Sequence, residues 1–182
     1  MRALADAERL RAFMQALGRE ADVDGRVYLT GGASAVLLGL RPTTLDADIL
    51  MVPESDRLYR ALPRLKEELR LNVEIAAPMH FIPELPGWRE RSPFVAREGR
   101  LAFHHFDLYS QALAKIERWH IKDRADVAAF LAGGHVDAAR LRALFEQIVP
   151  QLYRYPALDE IAFRVNLDAA LGGHGNAWRR GL

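Results

Sequence analysis

One stretch constrains this chain more than any other: VYLTGGASAVLLGLRPTTLDADILMV, residues 27 to 52. Val27 to Thr30 reads as a short buried strand. Gly31-Gly32 breaks it, Ala33 to Leu40 reads as a short apolar helix, and Leu45 to Val52 reads as a second strand. Successive side chains on a strand point to opposite faces, so Asp46 and Asp48 share one face while Leu45, Ala47 and Ile49 point toward a core. Two carboxylates so close repel unless something neutralises them. A divalent cation does so, and Mg²⁺ commonly takes one or two carboxylates plus substrate phosphates. Arg41 or a nearby lysine on a solvated strand edge would serve as well.

The glycine pair favours the first of these. Glycines between a strand and a helix let the backbone approach a phosphate, and the helix start aims free N–H groups at it. Ser34 adds a hydroxyl there, with helix capping as its ordinary role. A third carboxylate would complete a site that grips both attacking and leaving oxygens. Glu74 is the candidate. In Leu71 to Ala76, LNVEIA, alternation puts Asn72 and Glu74 on one face and Leu71, Val73 and Ile75 on the other. A strand beside the D-x-D strand would bring Glu74 next to Asp46 and Asp48; an isolated edge strand would leave it in solvent.

Around this core the pattern predicts a helix over residues 3 to 18 with Gly18 as its stop, and another from Pro53-Glu54-Ser55 to about Arg70. Residues 78 to 99, with their prolines, glycines and charges, read as a loop with short strand pieces. Leu101 to Phe106 reads as a further strand. From Leu108 onward helices dominate, over about 108 to 120, 123 to 132, 137 to 148 and 157 to 169, and the tail from Gly172 reads as loose. The expected organisation is an α/β lobe at 1–107 and a helical lobe at 108–182.

The helical half supplies cations. Lys115 and Arg118 are three apart and can share a helix face. If the helix is continuous, Lys115, Arg118, Trp119, Lys122 and Asp126 form one polar stripe. If it breaks near His120, Asp123 caps the next helix and Asp126 sits in its first turn. Lysine and arginine facing a triphosphate would offset its charge during phosphoryl-type transfer. Adjacent His104 and His105 face opposite ways on a strand and make a poor metal pair. Trp88, Trp119 and Trp178 read as packing residues. Arg89, Arg91, Arg97 and Arg100 read as a surface loop or as an edge for RNA phosphates.

Composition bounds the rest. Half of the 182 residues are hydrophobic and 27% are charged, so an ordinary core is expected. A net charge of +1 shows no strongly basic sleeve. Without cysteine there are no disulfides, thiolate metal sites or cysteine nucleophile. The charged N-terminus reads as neither signal peptide nor membrane span, so a soluble, cytoplasmic protein without membrane contact is expected.

The first motif resembles the nucleotidyltransferase signature: an apolar strand, a glycine turn, a helix and D-x-D on the next strand. Lys115 to Asp126, with K-I-E-R and K-D-R-A-D, resembles the second signature of AbiEii-like nucleotidyltransferases, a group that includes toxins of toxin–antitoxin systems. The resemblance covers about residues 25 to 132. It implies an α/β (α+β) nucleotidyltransferase-like N-lobe, a mixed β-sheet flanked by helices, and a helical C-lobe. It implies transfer of a nucleoside monophosphate from an NTP with release of pyrophosphate. Gly31, Gly32 and Ser34 match the phosphate-binding turn, and Asp46 and Asp48 the ligands for Mg²⁺ or Mn²⁺. Glu74 matches a variable third acid, Lys115 and Arg118 a basic pair, and Lys122, Asp123 and Asp126 the K-D-x-x-D element. Lys115 and Asp123 join the acids as catalytic candidates, and Lys115, Arg118 and Lys122 join the turn as nucleotide-binding ones. RNA, tRNA included, is the implied acceptor and an antitoxin protein the implied partner. The alternatives are a non-catalytic nucleotide- or protein-binding module on the same fold, and a D-x-D sugar-nucleotide glycosyltransferase.

Overall fold

The structure is a computed structural model that describes residues 4–172. Trp178 and the tail beyond Gly172 lie outside the described residues. The chain forms two compact units. The first takes the chain up to Ala77 together with Arg89–Phe106; the second takes Pro78–Trp88 together with the chain from Asp107.

The first unit is built on a five-stranded mixed sheet. Its elements are α1 (Ala7–Glu20), β1 (Gly25–Thr30), α2 (Gly31–Leu37), β2 (Asp46–Val52), α3 (Asp56–Glu68), β3 (Asn72–Ile75), β4 (Phe94–Glu98) and β5 (Leu101–His105). The strand order is β3-β2-β1-β5-β4. β1 is antiparallel to β2 and parallel to β5; β2 is parallel to β3, and β4 antiparallel to β5. This is the mixed sheet flanked by helices that the resemblance implies.

Alternation sorts the sheet into two faces. Val27, Leu29, Ala47, Ile49, Val73 and Phe103 join a core with Phe13 and Leu17 of α1 and Leu62 and Leu65 of α3. Removal of that apolar surface from water is the main force holding helices to sheet. The opposite face carries Arg26, Tyr28 and Thr30 of β1 and Asp46, Asp48, Leu50 and Val52 of β2. Leu45 departs from the expected inward orientation and is 47% exposed, because it precedes the first β2 ladder pair. Ile75, at the far end of β3, is likewise exposed.

Gly18 does not stop α1, which runs on to Glu20. It is a close-approach position instead: a Cβ there would stand 2.5 Å from the Glu98 carbonyl oxygen. Gly99, in the β4–β5 turn, has φ +57 and meets the Gly18 backbone in the same way. Two glycines thus let α1 cross the hairpin at backbone contact.

The second unit contains α4 (Leu108–Arg118), α5 (Ile121–Ala132), α6 (Ala138–Ile148) and α7 (Glu160–Gly172), with 3₁₀ segments at Pro78–His80 and Val149–Arg154. Asp107 caps α4, its carboxylate accepting from the Tyr109 and Ser110 amides and, at 2.7 Å, from the Ser110 hydroxyl. Phe145 and Phe163 pack edge to face with centroids 4.8 Å apart. Residues 78 to 88 are part of this helical unit. The Tyr155 hydroxyl donates to the Met79 carbonyl at 3.1 Å, and buried Trp88 donates to Glu84 Oε1 at 2.8 Å. Among the described residues no helix is long and apolar enough to cross a membrane.

Candidate functional site

The D-x-D strand lies between β1 and β3, and the ladders fix its neighbours. Asp48 stands opposite Thr30 on one side and Glu74 on the other, and Asp46 stands opposite Asn72. Ladder partners project to the same face, so Asp46, Asp48 and Glu74 share one patch of the face opposite the core. Asp46 and Asp48 are half-buried and Glu74 is exposed.

The patch has a member the sequence reading passed over. The Asn72 amide donates to Asp46 Oδ1 at 2.7 Å and to Glu74 Oε1 at 2.8 Å, so one NH₂ group bridges two acids. Each bond to an ionised acceptor is stronger than a neutral one and offsets part of the mutual repulsion. The bridge engages one oxygen on each of two acids of the expected three-acid set. Among the described residues no group of three or more acidic or histidine side chains is gathered so that it could hold a metal ion. One oxygen of Asp46 and one of Glu74 face the amide instead. The donor set that remains is all carboxylate oxygen, which suits a hard cation taking one or two carboxylates and completing its shell from elsewhere.

The glycine turn sits against this patch. Helix α2 begins at Gly31 itself, two residues earlier than the pattern suggests. Gly31 has φ +56, and a Cβ on it would lie 2.5 Å from Asp48 Oδ2. Glycine is therefore required twice, by backbone conformation and by the carboxylate beside it. A Cβ on Gly32 would collide with the Thr44 hydroxyl and the Arg41 guanidinium. Thr44 pins the intervening turn: its backbone pairs with Ala5, and its hydroxyl donates to the Asp46 carbonyl at 3.1 Å.

Ser34 does not present its hydroxyl outward as expected. It is fully buried, with Oγ 2.7 Å from His105 Nδ1. That bond ties α2 to β5 beneath the glycine turn, so Ser34 positions the turn. His104, on the other face, contacts the Ser92 carbonyl through Nδ1 at 3.1 Å and packs against Tyr28 and Phe94.

In the second unit the expected basic elements form a compact ionic cluster. Lys115 Nζ lies 2.6 Å from Asp126 Oδ2 and 3.6 Å from Asp123 Oδ1, and Arg118 donates to Asp123 Oδ1 at 2.9 Å. The Lys115, Asp123 and Asp126 side chains are 6%, 8% and 9% exposed, so these charges are desolvated and compensate one another. The continuous-helix reading is overturned: Trp119 ends α4 in the left-handed conformation, φ 52. The capping reading of Asp123 is overturned as well. His120 occupies the cap position, and Asp123 lies in the first turn of α5. Lys115 is correspondingly spent on Asp123 and Asp126, whereas Lys122 is exposed on α5. Burial raises the pKa of neighbouring Glu117; Arg118 opposes that shift and Asp123 adds to it.

Asn72 carried a sequence signal, since it lies two residues before Glu74 and alternation puts both on one face. The Ser34–His105 bond carried none, because its partners are 71 positions apart.

Comparison with curated proteins and with solved structures returned no match. A family model does match, over residues 7–164, at the level of nucleotidyltransferases and not of the AbiEii-like toxins. With the glycine turn and the D-x-D strand inside that span, the chain belongs to the DUF6036 family, described as a nucleotidyltransferase of unknown function.

Proposed function

We propose that this protein moves a nucleoside monophosphate from an NTP to an acceptor hydroxyl, with RNA as the acceptor class, and that the chemistry belongs to the acidic face of the first unit. The observation that carries this reading is the register: Asp46, Asp48 and Glu74 share one face, and Gly31 lies against the Asp48 carboxylate. In the reaction an acceptor oxygen bonds to the α-phosphorus, the α–β bridging bond breaks, and pyrophosphate leaves with its electron pair. Asp46 and Asp48 would hold Mg²⁺ or Mn²⁺, which when bound neutralises phosphate charge. Glu74, with one oxygen engaged by Asn72, keeps the other to accept the acceptor's proton. Gly31 and Gly32 give the phosphates close access to backbone, and the Ser34–His105 bond holds that turn in place.

The test uses purified protein, Mg²⁺, the four α-labelled NTPs in turn, and total RNA. The expected result is label in RNA from one or more NTPs, lost in Asp48→Asn. Undiminished transfer by Asp48→Asn would overturn the site assignment. NTP binding without transfer to any acceptor would assign the face to a non-catalytic nucleotide-binding module.

A further inference from the structure

The same sheet face carries a second feature at its other end. A depression of about 370 Å³ is lined by Arg26, Arg89, Arg97 and Arg100, with Asp24 as its acid. We propose that this depression binds the phosphates of a single-stranded phosphodiester chain.

The ladder builds it. Arg97 stands opposite Ala102, Ala102 opposite Arg26, and Arg26 opposite Val52, so these side chains project together across four strands. The small Ala102 between two arginines forms a low floor, and buried Tyr28 extends it. The acid among the lining residues is Asp24, which lies 3.6 Å from Arg97 and 3.7 Å from Arg100. Such long, exposed pairs are weak and easily exchanged for a better anion. All the cations are arginines, whose planar forks match phosphate oxygens in pairs.

Arg97 and Arg100 converge on one Asp24 oxygen and can grip one phosphoryl group, whereas Arg26 adds a separate contact that a chain of phosphates uses and a lone phosphate does not. Arg97 and Arg26 are two strand spacings apart, roughly 10 Å, too far to grip one phosphoryl group together. From Arg26 to Thr30, beside Asp48, is four residues of strand, about 13 Å. The arginines and the acids therefore lie on one side of the sheet, with buried Tyr28 between them. The inference stands on the arginines alone and does not need the transfer reading.

The test is fluorescence anisotropy of the full-length protein with a labelled 12-nucleotide single-stranded RNA, in EDTA without NTP, over a salt series. Because no metal or NTP is present, its outcome is separable from that of the transfer assay. Wild type should bind with a steep salt dependence. The double variant Arg26→Gln/Arg97→Gln should weaken binding by about 10-fold or more and reduce the logarithmic salt slope by about 0.7 per arginine removed. Asp24→Asn should tighten binding, a gain that misfolding does not produce. No RNA binding at low salt, or binding indifferent to these variants, would overturn the proposal. So would tighter binding of a polyglutamate peptide, or inorganic phosphate or tripolyphosphate bound as tightly as the RNA.

Discussion

A single amide group organises the acidic face. Asn72 gives one proton to Asp46 and one to Glu74, and without it two carboxylates would face each other with no donor between them. Replacing Asn72 by Leu keeps the branched shape and removes both donors. The expected loss is about 2 kcal/mol in urea denaturation, the scale for hydrogen bonds to charged acceptors. Added Mg²⁺ should raise Tm more in Asn72→Leu than in wild type, since it can take over the freed oxygens. Unchanged stability together with an unchanged Mg²⁺ response would refute the bridging role. At Glu117 the folded-state pKa lies above the unfolded value, so the protonated form is favoured on folding. Its stabilising contribution is present below the unfolded pKa and is lost as pH rises through the folded one. Glu117→Gln should thus raise Tm at pH 7.5, and the gain should vanish near pH 4. Alternation made the shared face of Asp46, Asp48 and Glu74 legible in the sequence. Ser34 was misread because burial depends on what packs over a residue, and His105 comes from a distant strand.

Between elements, the joint of α4 and α5 depends on charges placed out of water. Lys115 meets Asp126 and Asp123 where none of the three is well hydrated. Lys115→Met takes the lysine from Asp126 and leaves Asp123 with Arg118 alone, and the expected cost is about 3–5 kcal/mol. Adding Asp123→Asn and Asp126→Asn should recover most of it, because the cost lies in uncompensated charge and not in lost volume. A triple variant no more stable than Lys115→Met would show that packing dominates. The two helices over 108 to 132 and a break near His120 were readable, but its exact position was not. It occurs at Trp119 in the left-handed region, where Gly or Asn is the usual signal. Once the break is misplaced by a residue or two, Asp123 changes from a cap to a buried ion-pair partner. Gly18 was misread for a related reason: glycine signals a helix end and a close contact equally well, and only the hairpin at Gly99 distinguishes them.

At the scale of the molecule, the change from α/β to helical character near residue 107 is visible in the sequence. The inclusion of 78 to 88 in the helical unit is not. Proline-rich, charged text reads as loop, whatever it packs against. Yet Ile82, Leu85 and Trp88 are each 2% exposed or less, and burial of such side chains contributes about 1.5–3 kcal/mol apiece. A fragment ending at Phe106 should therefore expose them and bind a hydrophobic dye. Adding residues 107–182 in trans should quench that signal. A fragment that melts cooperatively and ignores the dye would show that 78 to 88 folds without the helices. The chain passes between its units three times, at Ala77, Trp88 and Phe106. Neither unit can be exchanged as a cassette by one crossover, since a chimera joined at residue 107 would pair residues 78 to 88 with helices that did not evolve alongside them. A working exchange has to carry both units together.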